Sequence, residues 1–550
     1  MLKLNNFLHK VINQTWGKII HKKNNKNIQF ELKRFLKSNS KFDINSPLVL
    51  IWELGGFPGI LKKDAIISIA LNSRGFRTHF IICDGLPEAC IQRGLEFGDK
   101  VDDWHLQCYK CISDMVQVAK NYNIEFSFLS NYIDKRQREI FKTTVQDINI
   151  LDIIKYKYLD VSVGEIAWSS LNRYLKGLVV DIHELNNEHE SVFKKYLYAA
   201  LINTYVANKT INLIKPISVF TSHGVYVDYA PPIFLAYKKR VKSLYWLSGY
   251  ANFLHYYFTP KDFNKLKLRS INDQGWNKRK STPLTFEENK LLDNYIYNRY
   301  FHNNARDVKI ISKSENNNDL KMKLQIFNEN PTVCLFTHVS WDATFFSFNT
   351  MIFDNANSWV IESINTMMTI KNVNWIIRIH PGELTGCSTK TTDDIIKEKF
   401  KKLPSHIKIL WSNSHINAFD LFKLINSGIT IYGTIGVELP LFGKPVIVAG
   451  DAPFSNKGFT IDAKTKDEYF DMLKKAAMIK PLDDNQINYA RLYAYSYFIQ
   501  KQVPLNVINK SQGHWGDIDL RQLNKLLPGK DYAMDKICDG IINGKDVVLE

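Results

Sequence analysis

The stretch from Ile429 to Gly450 limits what this chain can fold into more than any other. Ile429-Thr430-Ile431-Tyr432 leads into Gly433-Thr434-Ile435-Gly436-Val437-Glu438, then Leu439-Pro440-Leu441-Phe442-Gly443-Lys444, then Pro445-Val446-Ile447-Val448-Ala449-Gly450. A β-branched apolar run reads as a buried strand, Gly-Thr-Ile-Gly as a tight turn opening a helix, Gly443 as the helix stop, and Pro445 to Ala449 as the next parallel strand. Such a unit belongs to an α/β sheet. Main-chain N–H groups at a helix start favour a phosphate, so Gly433, Thr434, Ile435 and Gly436 are candidate phosphate contacts. Glu438, one turn further, is a candidate acceptor for ribose hydroxyls.

The same alternation of strand and helix recurs on both sides of a polar stretch. From Pro47 the pattern predicts a strand over Leu48–Trp52, a helix over Lys62–Arg74 closed by Gly75, and a strand over Thr78–Cys83. A helical middle follows to about Lys215, with further strands over Ile217–Thr221 and Val241–Leu247. A second block has strands over Thr332–Phe336, Trp375–Ile379, Ile407–Trp411, Ile429–Tyr432 and Pro445–Ala449, then helices from about Asp467 and Ile487. Tyr493, Tyr497 and Phe498 form a packing stripe. Right-handed parallel βαβ units follow from this order. A chain of 550 residues exceeds what one core serves, and the expected division is a basic helical segment over 1–45, a Rossmann-like domain over 46–260, a polar linker over 261–330, a second Rossmann-like domain over 331–490, and a helical segment over 491–550. Ligands of open α/β sheets bind beyond the carboxyl ends of the strands, which is where the candidate chemistry clusters.

Arg378-Ile379-His380-Pro381-Gly382-Glu383 stands at one such strand end. Arg378, His380 and Glu383 are candidates to face the cleft, with His380 and Arg378 placed to meet a departing phosphate. Trp52-Glu53-Leu54-Gly55-Gly56 follows the first strand. Glu53 there is a candidate base, and Gly55 and Gly56 would let a ligand approach the backbone. Ser222-His223-Gly224-Val225-Tyr226 brings an imidazole able to act as base and an aromatic neighbour, Tyr226. Asp342, after Trp341, is a further candidate base or a helix cap.

The 72 Lys and Arg against 55 Asp and Glu give a net charge of +17, which suits anionic partners or a Lys-rich surface alike. Seven cysteines in so long a chain make no disulfide scaffold, and no secretory leader or membrane-length apolar run is present. A reducing cytoplasm is the expected setting. The face formed by Phe7, Val11, Ile12, Trp16, Ile19 and Ile20, ringed by lysines, can pack on its own domain or lie on the anionic inner face of a membrane. Cys83, Cys90, Cys108 and Cys111 include one C-x-x-C pair, but a structural zinc site wants two tight pairs. Buried thiols are expected there, with no metal or cofactor.

Taken together, the motifs resemble those of two-domain GT-B glycosyltransferases, and more narrowly of bacterial capsule polysaccharide biosynthesis proteins related to the Kdo transferases. The likeness rests on His380-Pro381, on Gly433 to Glu438 before Gly443-Lys444-Pro445, on Gly450 followed by Asn456-Lys457-Gly458-Phe459-Thr460, and on Leu54-Gly55-Gly56, Cys83-Asp84-Gly85 and Ser222 to Tyr226. It implies metal-independent transfer from a nucleotide-sugar to a glycan or lipid-linked glycan of the bacterial surface, capsule or lipopolysaccharide. The donor, a CMP-ulosonic acid or a UDP- or GDP-hexose, would sit on the second domain and the acceptor on the first. By position, His380 would contact the donor phosphate, Thr434 to Gly436 would offer amides, and Glu438 would hold the ribose. Two other functions fit parts of the pattern: polyol-phosphate transfer from a CDP-alditol, and non-enzymatic nucleic-acid binding. The second lacks a basic stripe interleaved with stacking aromatics.

Overall fold

The computed structural model describes residues 25–54, 56–93, 103–179, 181–250, 255–260, 270–271, 273–301, 316–326, 329–342, 351–385, 388–509 and 516–549. The apolar stripe expected between Phe7 and Ile20 lies outside them. Residues 25–39 form a helix, and its Ile28 and Leu32 are buried in the core of the first domain, so this part of the basic lead-in packs on its own chain.

Strands β1 (Leu48–Trp52), β2 (Arg77–Ile82), β3 (Phe126–Phe128), β4 (Ser218–Ser222), β5 (Lys242–Ser248) and β6 (His255–Pro260) build the first sheet. Strands β7 (Thr332–Phe336), β8 (Asn374–Arg378), β9 (Ile407–Leu410), β10 (Ser427–Thr430), β11 (Val446–Val448) and β12 (Ile461–Asp462) build the second. The closing segment, expected to be helical, also supplies β13 (Val503–Pro504), which pairs antiparallel with β6 and joins the first sheet. The sheet orders are β13-β6-β5-β4-β1-β2-β3 and β12-β11-β10-β7-β8-β9. Both carry the doubly wound order in which the chain starts in the middle, moves to one edge, and returns to build the other half. The second sheet is parallel throughout; the first turns antiparallel only at β6 and β13. Two Rossmann-like domains are therefore what this sequence folds into.

Strands covered by helices on both faces are enclosed along their whole length. That is why every residue of Thr332–Phe336 and of Asn374–Arg378 is buried. The helix after β1 spans Pro58–Asn72, starting earlier than its hydrophobic pattern suggests because Pro58, with φ preset and no N–H to lose, serves as its first residue. Strand β10 ends at Thr430, two residues before the expected end, so Ile431 and Tyr432 already belong to the turn. The three residues of β3 lie inside what reads as a helical middle; such a short edge strand leaves no periodic trace.

Order reversal occurs between β1 and β4 in the first sheet and between β7 and β10 in the second. These are the points where helices on opposite faces diverge and leave a crevice. The loops after β7 and β8 meet the first domain: the Arg173 guanidinium stands 4.3 Å from the Trp341 ring centroid, and the Thr389 amide donates to the Lys176 carbonyl at 2.9 Å. The helix Asp484–Tyr495 and the π-turn Ser496–Gln500 then lead back, with Tyr493 stacked on Tyr497 at 5.7 Å and Tyr497 edge-on to Phe498 at 5.1 Å. The helix Tyr532–Asn543 finishes on the first domain, its Met534, Ile537 and Ile541 in one core with Val49 and Phe220.

Candidate functional site

A cavity of about 120 Å³ opens at the carboxyl ends of β7, β8 and β10, the crevice of the second sheet. Its wall includes Thr337, His380, Thr430, Gly433, Thr434 and Arg299. Three of these, His380, Gly433 and Thr434, sit where the sequence places them. Arg299 does not: it arrives from the helix Phe286–Phe301 in the polar stretch between the domains, where nothing in the local pattern marks one arginine among many cations. Thr337 and Thr430 are the first residue past β7 and the last of β10; only their register beside His380 and Gly433 would have flagged them.

His380 is held from three directions. Its amide donates to Thr337 Oγ1 at 2.9 Å, and its ring lies 6.0 Å from that of His338. The Gly382 amide donates to its Nδ1 at 2.9 Å. An amide N–H can only donate, so Nδ1 carries the lone pair and the neutral ring carries its proton on Nε2. His380 therefore presents a donor, which suits an anionic oxygen and not proton abstraction. Position 382 must be glycine for this arrangement: a Cβ there would fall 2.6 Å from His380 Nδ1.

Arg378 reaches the wall but is committed elsewhere. Its Nη1 donates to the Trp411 carbonyl at 3.3 Å and its Nη2 to those of Ser414 and Ile416 at 3.4 Å. It pins the loop after β9 and forms the cavity floor, with burial pulling its pKa down. Glu383 corrects the expectation that it faces the cleft. It is 1% exposed and accepts from Thr392 Oγ1 at 2.8 Å, and burial raises its pKa against hydrogen bonds from Ser388 and Thr392. A short helical turn after Pro381 rotates it inward, which strand alternation does not foresee.

The Gly433 turn also differs from its expected use. The helix it opens is only Ile435–Glu438, continued by the tight turn Leu439–Phe442 and closed by Gly443 at φ +70°. The Gly436 amide is already donated to the Gly433 carbonyl at 3.0 Å. Gly436 is small because Phe454 lies against it, 2.1 Å from where a Cβ would be, so it serves packing and not phosphate approach. Thr434 and Ile435 do line the cavity. Glu438 is fully buried and absent from the wall; its Oε1 pairs with Arg299 Nη2 at 3.1 Å. Burial raises its pKa, opposed by that guanidinium. The expected ribose contact is replaced by an internal ion pair.

On the first domain, Glu53 is fully buried and accepts from Ser222 Oγ at 3.0 Å. It also shares a hydrogen bond with Asp64, whose pKa burial raises. An enclosed carboxylate so engaged cannot meet an acceptor hydroxyl, which corrects its reading as the base. His223, at φ +54°, is half-buried with its ring 5.3 Å from Tyr229 and 6.3 Å from Trp246. Tyr226 opens the helix Tyr226–Lys238 at φ +65° and packs on the first core. Asp342 is half-buried beside the Trp341 contact between the domains. Gly55 lies outside the described residues. Gly56, at φ +66°, would place a Cβ 2.7 Å from Cys111 Sγ.

All four cysteines gather in that neighbourhood, lining one small pocket with Arg93, which donates to Cys108 Sγ. Burial pushes the Cys111 thiol up to about 11 and raises those of Cys83 and Cys90 as well. Among the described residues no group of three His, Cys, Asp or Glu side chains is arranged to hold a metal ion, and no helix is long and apolar enough to cross a membrane.

No family model matches the chain, and no curated protein matches it. Solved structures similar to it include the β-Kdo 2,4 transferase of Thermosulfurimonas dismutans KpsC, at 14% identity and TM-score 0.35, over 56% of this chain and 87% of that one. Others are an S. aureus MnaA–UDP co-structure, at 10% identity and TM-score 0.26, over 90% and 96%, and the spinosyn rhamnosyltransferase SpnG, at 8% and 0.23, over 82% and 95%.

Proposed function

We propose that the protein is a glycosyltransferase that takes a sugar from a nucleotide-linked donor and delivers it to a bacterial surface glycan. The observation that carries this reading is the cavity at the crevice of the second sheet, where the His380 Nε2–H, the hydroxyls of Thr337, Thr430 and Thr434, and the Arg299 guanidinium converge. Such a wall matches the oxygens of a phosphate ester whose charge grows as the glycosidic bond breaks. The motifs around it, His380-Pro381 and Gly433-Thr434 before Gly443-Lys444-Pro445, are those that resemble the GT-B enzymes.

In this reading the leaving nucleotide phosphate is held by His380 and the Thr434–Ile435 turn, and the acceptor hydroxyl approaches from the first domain. His223 and Asp342 are the two remaining candidates for its deprotonation, since both are half-buried and not enclosed. The transfer needs no bound metal, because the cationic and hydrogen-bonding groups supply the charge stabilisation themselves.

The test is to incubate the protein with CMP-ulosonic acids and UDP- and GDP-hexoses, with and without glycan acceptors, and to follow nucleotide release and product mass in the presence of EDTA. Release of one nucleotide with a product heavier by one sugar is expected. A product heavier by a polyol phosphate would replace this reading with CDP-alditol chemistry, and silence across the panel would remove it.

A further inference from the structure

A fully buried carboxylate–guanidinium pair beside the cavity sets a puzzle that the proposed function does not answer. Glu438 is 0% and Arg299 2% exposed. Enclosing two charges costs several kcal/mol each, and their attraction often no more than offsets it. The pair does hold Glu438 in place, yet an apolar pair would serve packing as well. What an apolar pair would lack is a cation at the cavity wall.

Arg299 is built to present one. Its Nη2 meets both Glu438 Oε1 at 3.1 Å and Thr434 Oγ1 at 3.3 Å. Its guanidinium lies 5.5 Å from the Tyr250 ring centroid and 5.2 Å from that of Phe498, two rings that are themselves in contact at 6.2 Å. A guanidinium carries five donors in a rigid fork, so one nitrogen can stay on a carboxylate while another takes a phosphate oxygen. Among the described residues no Asp or Glu lines the cavity, and the other arginine of its wall, Arg378, is turned onto three carbonyls of the loop after β9. We infer that Arg299 is the cation that binds the phosphate of the nucleotide donor, and that Glu438 is the residue that positions it and does not touch the ribose.

The assignment rests on the donor reading above and adds a structural consequence. Arg299 belongs to the helix between the domains, Tyr250 follows β5 of the first sheet, and Phe498 lies in the segment that returns to it. The phosphate would thus be gripped by a side chain seated by the helix between the domains, a residue past β5 of the first sheet and the returning segment, and not by the second domain alone.

Affinity for nucleotide against its own nucleoside isolates the phosphate. Calorimetric titration of the full chain with CMP, UDP and GDP, and with cytidine, uridine and guanosine, gives the wild-type pattern. The double variant R299M/E438Q removes both charges together, so neither is left buried alone; circular dichroism and a thermal melt check its fold. The nucleotide that binds wild type should bind this variant at least about tenfold more weakly, the loss expected for a charge-assisted hydrogen bond, while the nucleoside binds both alike. Glu438→Gln alone should weaken the nucleotide to a smaller degree and leave the nucleoside unchanged. Equal nucleotide affinity for wild type and the double variant overturns the assignment while the donor reading stands. Equal loss of nucleoside and nucleotide in Glu438→Gln returns Glu438 to the ribose and overturns it too. A wild type that binds none of the nucleotides overturns the donor reading and this assignment with it.

Discussion

Asp228 offers a test of the structural reasoning that needs no substrate. It sits in the helix that follows β4, is 1% exposed, and its Oδ2 accepts from the Ile91 amide at 2.7 Å. Burial raises its pKa from 3.8 to about 7, opposed by that amide and by Arg93. A carboxyl held neutral by the fold but ionised in the unfolded chain makes unfolding release a proton. Stability from this group is therefore whole below about pH 4 and is lost as pH rises to about 7. At about 1.4 kcal/mol per pH unit the full loss is about 4 kcal/mol, of which about 2.5 kcal/mol falls between pH 5 and pH 8. Asp228→Asn keeps an oxygen for the Ile91 amide and cannot ionise. Urea unfolding at about pH 5 and about pH 8, at fixed ionic strength, should show the wild type losing about 2.5 kcal/mol more than the variant over that interval. Asp64, also buried with a raised pKa, stays in both proteins, so the variant keeps part of the slope. Identical slopes would mean that Asp228 is either ionised in the fold or solvated, and the packing of the β4 helix on the Ile91 turn would have to be rebuilt.

Three further changes probe the cavity and the turn beside it. Gly382→Ala drives a methyl to 2.6 Å from His380 Nδ1 and should cut turnover at least about tenfold through a displaced imidazole, with a melting temperature within a few degrees of wild type; unchanged kinetics would show that the ring orientation is irrelevant. Gly436→Ala meets Phe454 at 2.1 Å and should destabilise the fold by about 1 to 3 kcal/mol, with Phe454→Leu restoring part of the loss in urea titrations; lost nucleotide binding at full stability would instead favour phosphate approach at Gly436. His380→Ala should lower kcat by more than it lowers thermal stability, and the reverse order would make His380 part of the scaffold.

The fold was legible because both domains depend on strands enclosed on two faces, which must be written as continuous apolar runs. Leu48–Trp52 and Thr332–Phe336 stand where the pattern puts them. What escaped lacks such a run. Strand β6, which carries the antiparallel end of the first sheet, is rich in Tyr and holds His and Pro, and β3, β12 and β13 are two or three residues long. The pairing of β13 with β6 joins residues more than two hundred positions apart, and no local periodicity carries that distance.

The site was legible in its backbone and not in its side chains, for a physical reason. Glycines and prolines report the turn they occupy, so Gly433, Gly443 and Pro381 mark where the strands end. A carboxylate in a motif can turn either way, and the choice depends on what else is buried. Glu383, Glu53 and Glu438 all read as facing a ligand, and all three face inward, each met by a partner from elsewhere in the chain: Thr392, Ser222 and Arg299. A carboxyl can be enclosed only beside hydrogen-bond donors, and those donors are invisible from the motif. The cation that answers Glu438 comes from a stretch whose composition suggests only solvated linker. Where an acidic residue appears one turn into a glycine-rich crossover, the informative search is therefore for the arginine that compensates it, since that partner decides whether the carboxylate reaches a ligand or instead holds the group that does.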